Sequence, residues 1–443
     1  MAERKRPSET DISPKDNSKK VKLIQTTLTP NLSTRPLCKY GAKCYRKHPD
    51  HLKAFRHPST EKKEEEQDID DDDDDDDDDS TSKPTDSSPV PSPLEITTAT
   101  TTTTIKSPSS SSSKKQTATS INATVSLMEL MELSGEKLLS SVYAMEFPTD
   151  LYEFWKFCSN LKKNNPRDVL KDLLNLELVG PFEILDDALK TCKTLPNMHL
   201  HYRYYYDTPE FMTLIRTLDK SSQFHIGYYR DSPDELPSFV ASNNASENNR
   251  SKLCGDNIFA AVYLYARAIL KSNNKADLKT FISDLENYAK KHKFSLDETT
   301  PKINARKKKT NCTLLNTLGM VVPCENDIGY RPVPFTKDQF KRVCDKFCNS
   351  TSEEICQAAE DELQNVITCI QFANDECDYG EGLEFGLNLF LYGSSKLHSR
   401  VMSLLPLGYK LLQRNLYAQI IADHLSSGRS NLIENLNEIE KNN

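Results

Sequence analysis

Residues 223–242 read QFHIGYYRDSPDELPSFVAS, and this stretch decides the fold class. The runs 223–230 and 237–242 are predicted as strands, because aromatic and β-branched side chains favour extended backbone. Asp-Ser-Pro-Asp at 231–234 is a turn signal. The sequence therefore predicts a β-hairpin here.

Helical patterns surround this hairpin. Apolar residues recur at helical spacing from Leu127 and again from Leu151. Downstream helices are predicted at 256–271, 276–291, 336–348, 352–373, 382–392 and 397–425, the last broken around Pro406. A further strand is predicted at 199–206, and an Asn- and Ser-rich loop at 242–251. The predicted class is α+β, with a small antiparallel sheet followed by a mostly helical C-terminal half.

Composition divides the 443 residues into four parts. Residues 1–34 are predicted to be a disordered basic tail and 35–58 a small zinc finger. Residues 59–124 are predicted to be a disordered acidic and Ser/Thr-rich linker, because they contain too little apolar surface to offset the entropy of ordering. Residues 125–443 have globular composition and are predicted to form a body of two packed lobes.

The net charge of −8 averages two unlike parts of the chain. Residues 61–79 contain fifteen acidic and two basic side chains, which leaves +5 for the rest. A mildly basic remainder indicates anionic partners. Since no window suits a membrane span and the start lacks a signal's apolar core, we expect a soluble intracellular chain. Its twelve cysteines are then metal ligands or buried thiols rather than disulfides.

Four potential metal ligands lie between residues 35 and 58. They have the spacing C-x5-C-x6-H-x5-H and are Cys38, Cys44, His51 and His57. Two thiolates and two imidazoles form a closed tetrahedral zinc site, and so short a segment needs the metal to fold. The alternative is a chance scatter of Cys and His in a disordered tail. Seven Lys/Arg and one acid, interleaved with aromatic residues, favour a ligand that combines phosphates with purines.

This segment resembles the poly(ADP-ribose)-binding zinc finger of DNA-repair proteins. The resemblance rests on Arg35, Tyr40-Gly41, Phe55, His57-Pro58 and the run from Cys44 to Lys47, together with the other ligands. It implies that Tyr40, Tyr45 and Arg46 bind an ADP-ribose unit, by stacking on adenine and by charged hydrogen bonds. His48 stands where an Asn is common, and it offers a rival zinc ligand.

Five carboxylates in ten residues follow an apolar helical pattern. They are Asp375, Glu376, Asp378, Glu381 and Glu384. Composition alone is typical of a solvated helix end. A calcium loop is a poor alternative, since counting from the first Asp leaves no side-chain oxygen ligand at the third position and no Glu at the twelfth. The glycines at 380, 382 and 386 have one residue too many for a dinucleotide fingerprint, and they follow a helix rather than a strand.

Other conspicuous residues have ordinary explanations when taken alone. Tyr330-Arg331 is typical of a surface loop. The basic run 306–309 is predicted to be a solvated loop or a nuclear-import signal. His199 and His201 alternate on the predicted strand and are expected to be packed or exposed rather than metal-bound.

The body resembles the histone poly(ADP-ribosyl)ation factor family over most of residues 145–430. The matching segments are FANDECDYG, GYRPVPF, HIGYYRDSPDELPSFV and LLPLGYKLLQRNLYAQII. Members of this family are not free-standing polymerases. They bind the catalytic domain of DNA-break-activated poly(ADP-ribose) polymerases and complete its active site with one carboxylate.

The resemblance implies that this carboxylate is Glu376, and that Asp375, Tyr330 and Arg331 contribute to docking or to ordering the joint site. Arg331 either keeps the carboxylate ionised or docks against an acid of the polymerase. The family's histidine in Tyr-Gly-Ser-His, which is implicated in binding the acceptor peptide, is replaced here by Ser395.

A carboxylate supplied to the polymerase by a second protein would determine which side chains accept ADP-ribose. An Asp or Glu acceptor is already an anion and attacks C1″ of the nicotinamide ribose directly, whereas a serine hydroxyl needs a general base within ~2.6–3.2 Å. Together with this chemistry, the resemblance implies a nuclear factor at DNA breaks on chromatin, which directs ADP-ribosylation to histone serines in the DNA damage response. Zn²⁺ is expected in the finger and NAD on the partner polymerase.

Two other hypotheses stay open. One is a non-catalytic adaptor that binds poly(ADP-ribose) in DNA repair, and the other is an independent enzyme that consumes NAD or cleaves ADP-ribose. The lack of a phosphate-binding glycine loop weighs against the second. Neither membrane binding nor direct DNA binding is indicated.

Overall fold

The computed structural model describes residues 55–56, 127–192, 195–272, 275–429 and 436. The predicted basic tail, the four zinc ligands and the whole of the predicted acidic linker lie outside the described residues. Among the residues described, no helix combines the length and the apolar character that a membrane span requires.

A five-stranded antiparallel sheet occupies the first half of the body. Its strands are Leu176–Leu178 (β1), Phe211–Thr217 (β2), Phe224–Tyr229 (β3), Phe239–Asn244 (β4) and Ser251–Leu253 (β5), and they neighbour one another in chain order. The predicted hairpin is β3–β4, in which Tyr229 pairs with Phe239 and their rings stack with centroids 4.9 Å apart. Such cross-strand aromatic pairs stabilise an antiparallel sheet.

The α+β class is confirmed, since helices account for the rest of the regular structure described. They are Leu127–Met131 (α1), Gly135–Tyr143 (α2), Thr149–Leu161 (α3), Lys171–Leu174 (α4), Pro181–Leu185 (α5), Ile258–Ser272 (α6), Ala276–His292 (α7), Pro301–Lys309 (α8), Lys337–Asn349 (α9), Glu353–Asp375 (α10), Tyr379–Tyr392 (α11), His398–Leu411 (α12) and Asn415–Ser426 (α13). Short 3-10 turns lie at Pro166–Asp168, Ala188–Thr191 and Ser395–Leu397.

The strand predicted at 199–206 is wrong. This stretch forms turns whose polar groups contact carboxylates: the Tyr204 amide donates to Asp207 Oδ2 at 2.9 Å, and His201 Nε2 lies 2.8 Å from Oε2 of Glu183 on α5. His201 is buried. Side-chain acceptors thus replace the neighbouring strand that the aromatic composition suggested.

The predicted break at Pro406 is also wrong. Pro406 lies inside α12, and the helix ends only after Leu411, close to Gln413, whose φ is 60°. A proline removes one helical hydrogen bond, but the buried side chains of Leu405 and Tyr409 hold both sides of the helix against the core.

The basic run 306–309 is not a loop. It forms the end of α8, and its first residue, Arg306, is buried. The Nε and Nη2 atoms of Arg306 donate to Asp231 Oδ2 and Oδ1 at 2.8 and 2.6 Å. The three lysines that follow are exposed. Only this part of the run suits a solvated or import-signal role.

Two large apolar clusters fill the body. One packs the sheet against the early helices and α6–α7, and Phe154 and Phe259 are among its fully buried members. The other is formed by the late helices α9–α13, with Phe385 and Phe390 at its centre. The second cluster positions the acidic segment predicted to be functional. The boundaries of the four predicted parts, and the division of the body into two lobes, stay predictions.

Candidate functional site

The acidic segment forms the tight connection between α10 and α11. Glu376 follows the end of α10, and its amide donates to Phe372 O and Ala373 O at 3.2 and 3.1 Å. Cys377 has a φ of 65°, which reverses the chain, and Asp378 then donates back to Ala373 O at 2.8 Å. The carboxylates of Asp375, Glu376 and Asp378 therefore lie around this tight connection instead of along one helix face. We call residues 375–378 the acidic corner.

A second segment, residues 323–331, packs against this corner. The Gly329 amide donates to Asp378 Oδ1 at 2.9 Å, and Gly329 O accepts from the Gly380 amide at 2.9 Å. Gly329 has a φ of 120°, and a Cβ there would lie 2.2 Å from Pro323 O. Only glycine fits this close approach, which delivers the next two residues to the acidic corner.

Arg331 is the cation at the centre of the corner. Its side chain is 3% exposed and forms ion pairs with Glu376 and with Asp378, whose Oδ2 lies 2.9 Å from the guanidinium. Asp378 is fully buried. The ordinary surface-loop explanation for Arg331 is therefore wrong, because a buried guanidinium needs such counter-ions.

Tyr330 contacts a different carboxylate. Its hydroxyl donates to Glu384 Oε2 at 2.9 Å. Burial raises the pKa of Tyr330, with the nearby Glu384 charge adding to the effect, and burial also raises the pKa of Glu384. Tyr330 thus anchors the loop to α11 while its neighbour Arg331 binds the corner.

The outer surface of the corner is partly apolar. Asp375 is exposed and the Glu376 side chain keeps 11% of its surface exposed. Phe372, one turn earlier on α10, is 57% exposed, and Ile328, beside Gly329, is 48% exposed. Exposed apolar side chains next to charged ones suit contact with another protein.

The sequence did not identify two parts of this arrangement. Asp378 and Glu381 are both fully buried, so the solvated-helix-end explanation is wrong for them. Asp directly before a helix is a common capping signal, but Asp378 makes no capping bond and instead contacts the Gly329 amide and Arg331. The glycines of the discarded dinucleotide pattern lie within α11, where a Cβ on Gly380 would meet Gly329 O at 2.9 Å.

The structure thus brings Arg331 and Glu376 together. Asp375 directly precedes Glu376, and Tyr330 hydrogen-bonds to Glu384. Ser395 is exposed at the start of a 3-10 turn. Tyr40, Tyr45, Arg46 and the zinc ligands lie outside the described residues. Within the part of the chain that is described, no group of three His, Cys, Asp or Glu side chains could hold a metal ion.

Comparisons with known proteins match both parts of the chain. The family model described as Histone PARylation factor 1 matches residues 135–428, and the PBZ domain matches residues 35–60. The protein named Histone PARylation factor 1 from Mus musculus is 43% identical over 307 residues, which cover 68% of this chain and 88% of that protein. Those from Bos taurus and Danio rerio are 42% and 39% identical, over 68% of this chain and 88% and 89% of those proteins.

Proposed function

Because this chain belongs to the histone PARylation factor 1 family, we propose that it is an accessory factor of a poly(ADP-ribose) polymerase. In this proposal Glu376 completes the polymerase active site as a general base and directs ADP-ribosylation to serine side chains of histones. The observation that carries the proposal is the ion pair of Glu376 with Arg331, at a corner whose rim is exposed and partly apolar.

The chemistry requires a carboxylate that is ionised and able to reach a hydroxyl. In this proposal the Glu376 carboxylate is the one that pairs with the Arg331 guanidinium. While paired, Glu376 keeps only 11% exposure, so it must turn outward to approach a serine in the partner's active site. Arg331 is also paired with Asp378, and this second counter-ion keeps the buried cation neutralised during that turn.

The proposed docking surface is the exposed rim of the corner. Asp375, Phe372 and Ile328 offer one charge and two apolar side chains there. A polymerase surface with a matching cation and an apolar patch would bury these groups and place Glu376 at the acceptor side of its nicotinamide pocket. NAD is bound by the polymerase in this proposal.

The PBZ match at residues 35–60 supports a second binding activity, toward poly(ADP-ribose). Cys38, Cys44, His51 and His57 would bind Zn²⁺, and Tyr40, Tyr45 and Arg46 would bind an ADP-ribose unit. A module that binds the polymer would raise the effective concentration of the body near modified chromatin. We therefore place the protein in the nucleus, at DNA breaks.

The general-base role is tested by Glu376→Gln, which keeps the shape of the side chain and removes the charge. A reaction with a DNA-break-activated polymerase, nicked DNA, NAD and a histone-tail peptide is analysed by mass spectrometry for the modified residue. Serine modification should fall by about 10²-fold or more, while acidic acceptors stay modified. The matched control is Glu360→Gln on the same helix α10. It removes a carboxylate that pairs with Arg400 of α12.

The adaptor hypothesis predicts the opposite result. It is favoured by the fact that Arg331 already engages the Glu376 carboxylate. If Glu376→Gln binds the polymerase and supports serine modification as well as the wild type does, the general-base role is lost and the adaptor hypothesis stands.

A further inference from the structure

Glu381 is a buried carboxyl group that the proposed reaction does not use. It lies in the first turn of α11, is fully buried, and its amide donates to Asp378 O at 3.2 Å. Among the residues that the structure describes, no hydrogen-bond donor meets either of its carboxyl oxygens. A buried carboxylate without a donor is costly, so this side chain requires an explanation.

The charged groups that act on Glu381 are those of the candidate site. The guanidinium of Arg331 acts from the packed loop, Asp378 from the position directly before α11, and Glu384 from α11 itself. Glu376 acts on it from the end of α10. In turn, the charge of Glu381 contributes to raising the pKa of the Cys369 thiol on α10. Glu381 is therefore the third carboxyl group around a single buried arginine.

We propose that Glu381 is a positioning residue for Glu376, acting as an alternative counter-ion of Arg331. When Glu381 is neutral, the guanidinium is paired with the carboxylates of Glu376 and Asp378. When Glu381 is ionised, three carboxylates share one cation, and the attraction that retains Glu376 at the corner weakens. The ionised form of Glu381 thus releases Glu376 toward an acceptor, and this inference rests on the proposed function of Glu376.

Burial sets the pH at which this exchange occurs. It raises the pKa of Glu381 from 4.5 to about 8, although the Arg331 charge lowers it and the neighbouring carboxylates raise it. Glu381 is then mostly neutral at pH 7 and ionised at pH 9. The transition lies close to physiological pH, so small changes in its surroundings shift the balance between the two states.

The first test is a pH profile of serine modification with wild type and Glu381→Gln. The Gln variant keeps the neutral form of the side chain at every pH. The ratio of wild-type to variant rate should be close to one at pH 6.5 and rise at least about threefold by pH 9, because one added charge acts on the buried pair. The pH dependence of the polymerase itself cancels in this ratio. A ratio that does not change with pH overturns the inference.

The second test needs no partner protein. Between pH 4.5 and about 8 the folded chain retains a proton on Glu381 that the unfolded chain has lost, so wild-type stability falls as pH rises through this range. The Glu381→Gln variant has no titrating group at this position, so its stability does not show this fall with pH. Relative to the variant, the wild-type unfolding constant should grow by up to tenfold per pH unit in urea titrations. An equal pH dependence for both proteins also overturns the inference.

Failure of the inference differs from failure of the proposed function. If Glu376→Gln abolishes serine modification but the wild-type to Glu381→Gln ratio is flat, Glu376 is the base and Glu381 does not position it. If Glu376→Gln is fully active, the proposed function fails and the positioning role fails with it. Glu360→Gln serves as the control in both assays, since its carboxylate pairs with an arginine outside the corner.

Discussion

Arg306 and Lys307 are chain neighbours with opposite environments. Arg306 is 8% exposed, donates two hydrogen bonds to Asp231, and lies over the Tyr229 and Phe239 rings of the hairpin at 5.4 and 4.8 Å. Lys307 is exposed at the end of α8. The positive charge of Arg306 therefore takes part in a buried ion pair, whereas that of Lys307 is exposed to solvent.

Replacing these two residues separates the roles. Arg306→Ala should lower the free energy of unfolding by about 3 kcal/mol, because it leaves the buried Asp231 carboxylate without its cationic partner. Lys307→Ala should change it by less than about 0.5 kcal/mol. Urea denaturation followed by circular dichroism measures both values. Equal effects of the two substitutions would contradict the structural role assigned to Arg306.

At the scale of elements, close helix packing positions the acidic corner. Helix α11 packs against α12, and Gly386 lies at the contact: a Cβ there would be 2.6 Å from the Leu405 side chain, which is fully buried. Gly408 lies on the opposing helix, where a Cβ would be 3.6 Å from the Leu383 backbone, an ordinary contact. The two glycines therefore differ in whether the packing requires them.

Alanine substitutions should show this difference with opposite signs. Gly386→Ala overpacks the contact and should destabilise the body by about 1–3 kcal/mol. Gly408→Ala fits and improves helix propensity, so it should be neutral or stabilise by up to about 1 kcal/mol. The comparison uses urea midpoints of the two variants and the wild type. Destabilisation by Gly408→Ala as large as that by Gly386→Ala would show that the contact tolerates no added methyl on either helix.

At the scale of the whole molecule, metal dependence should separate the finger from the body. We expect the short finger to need zinc in order to fold, whereas two large apolar clusters stabilise the body. A chelator should abolish poly(ADP-ribose) binding and leave the urea unfolding of the body unchanged.

Cys44→Ala should reproduce the chelator effect, with loss of bound zinc and at least tenfold weaker poly(ADP-ribose) binding. Zinc analysis and a filter-binding assay measure the two properties. Cys324→Ala, at an exposed cysteine of the body, is the matched control and should change neither. Retention of zinc or of polymer binding by Cys44→Ala would contradict the ligand assignment.

Local sequence alone determined the hairpin, most of the long helices and the position of the candidate site. The β3–β4 hairpin follows from residues 223–242, since aromatic and β-branched runs around a turn signal are satisfied by their own neighbours. Apolar periodicity likewise placed the helices α6, α7 and α9–α11 within a few residues, whereas α8 was not predicted. The family motifs directed attention to Glu376, because they lie in continuous segments that can be compared without knowledge of the fold.

Tertiary structure decided which charges are buried and with what partners. Arg331, Asp378 and Glu381 come from two separate segments, and their burial depends on the approach of Gly329 to the start of α11. The pairing of Arg306 with Asp231 joins residues 75 positions apart. The aromatic run 199–206 forms turns because buried carboxylates accept its hydrogen bonds, one from the adjacent Asp207 and one from Glu183 on α5. Sequence patterns report local preference, whereas desolvation of a charge is settled only by what the fold places around it.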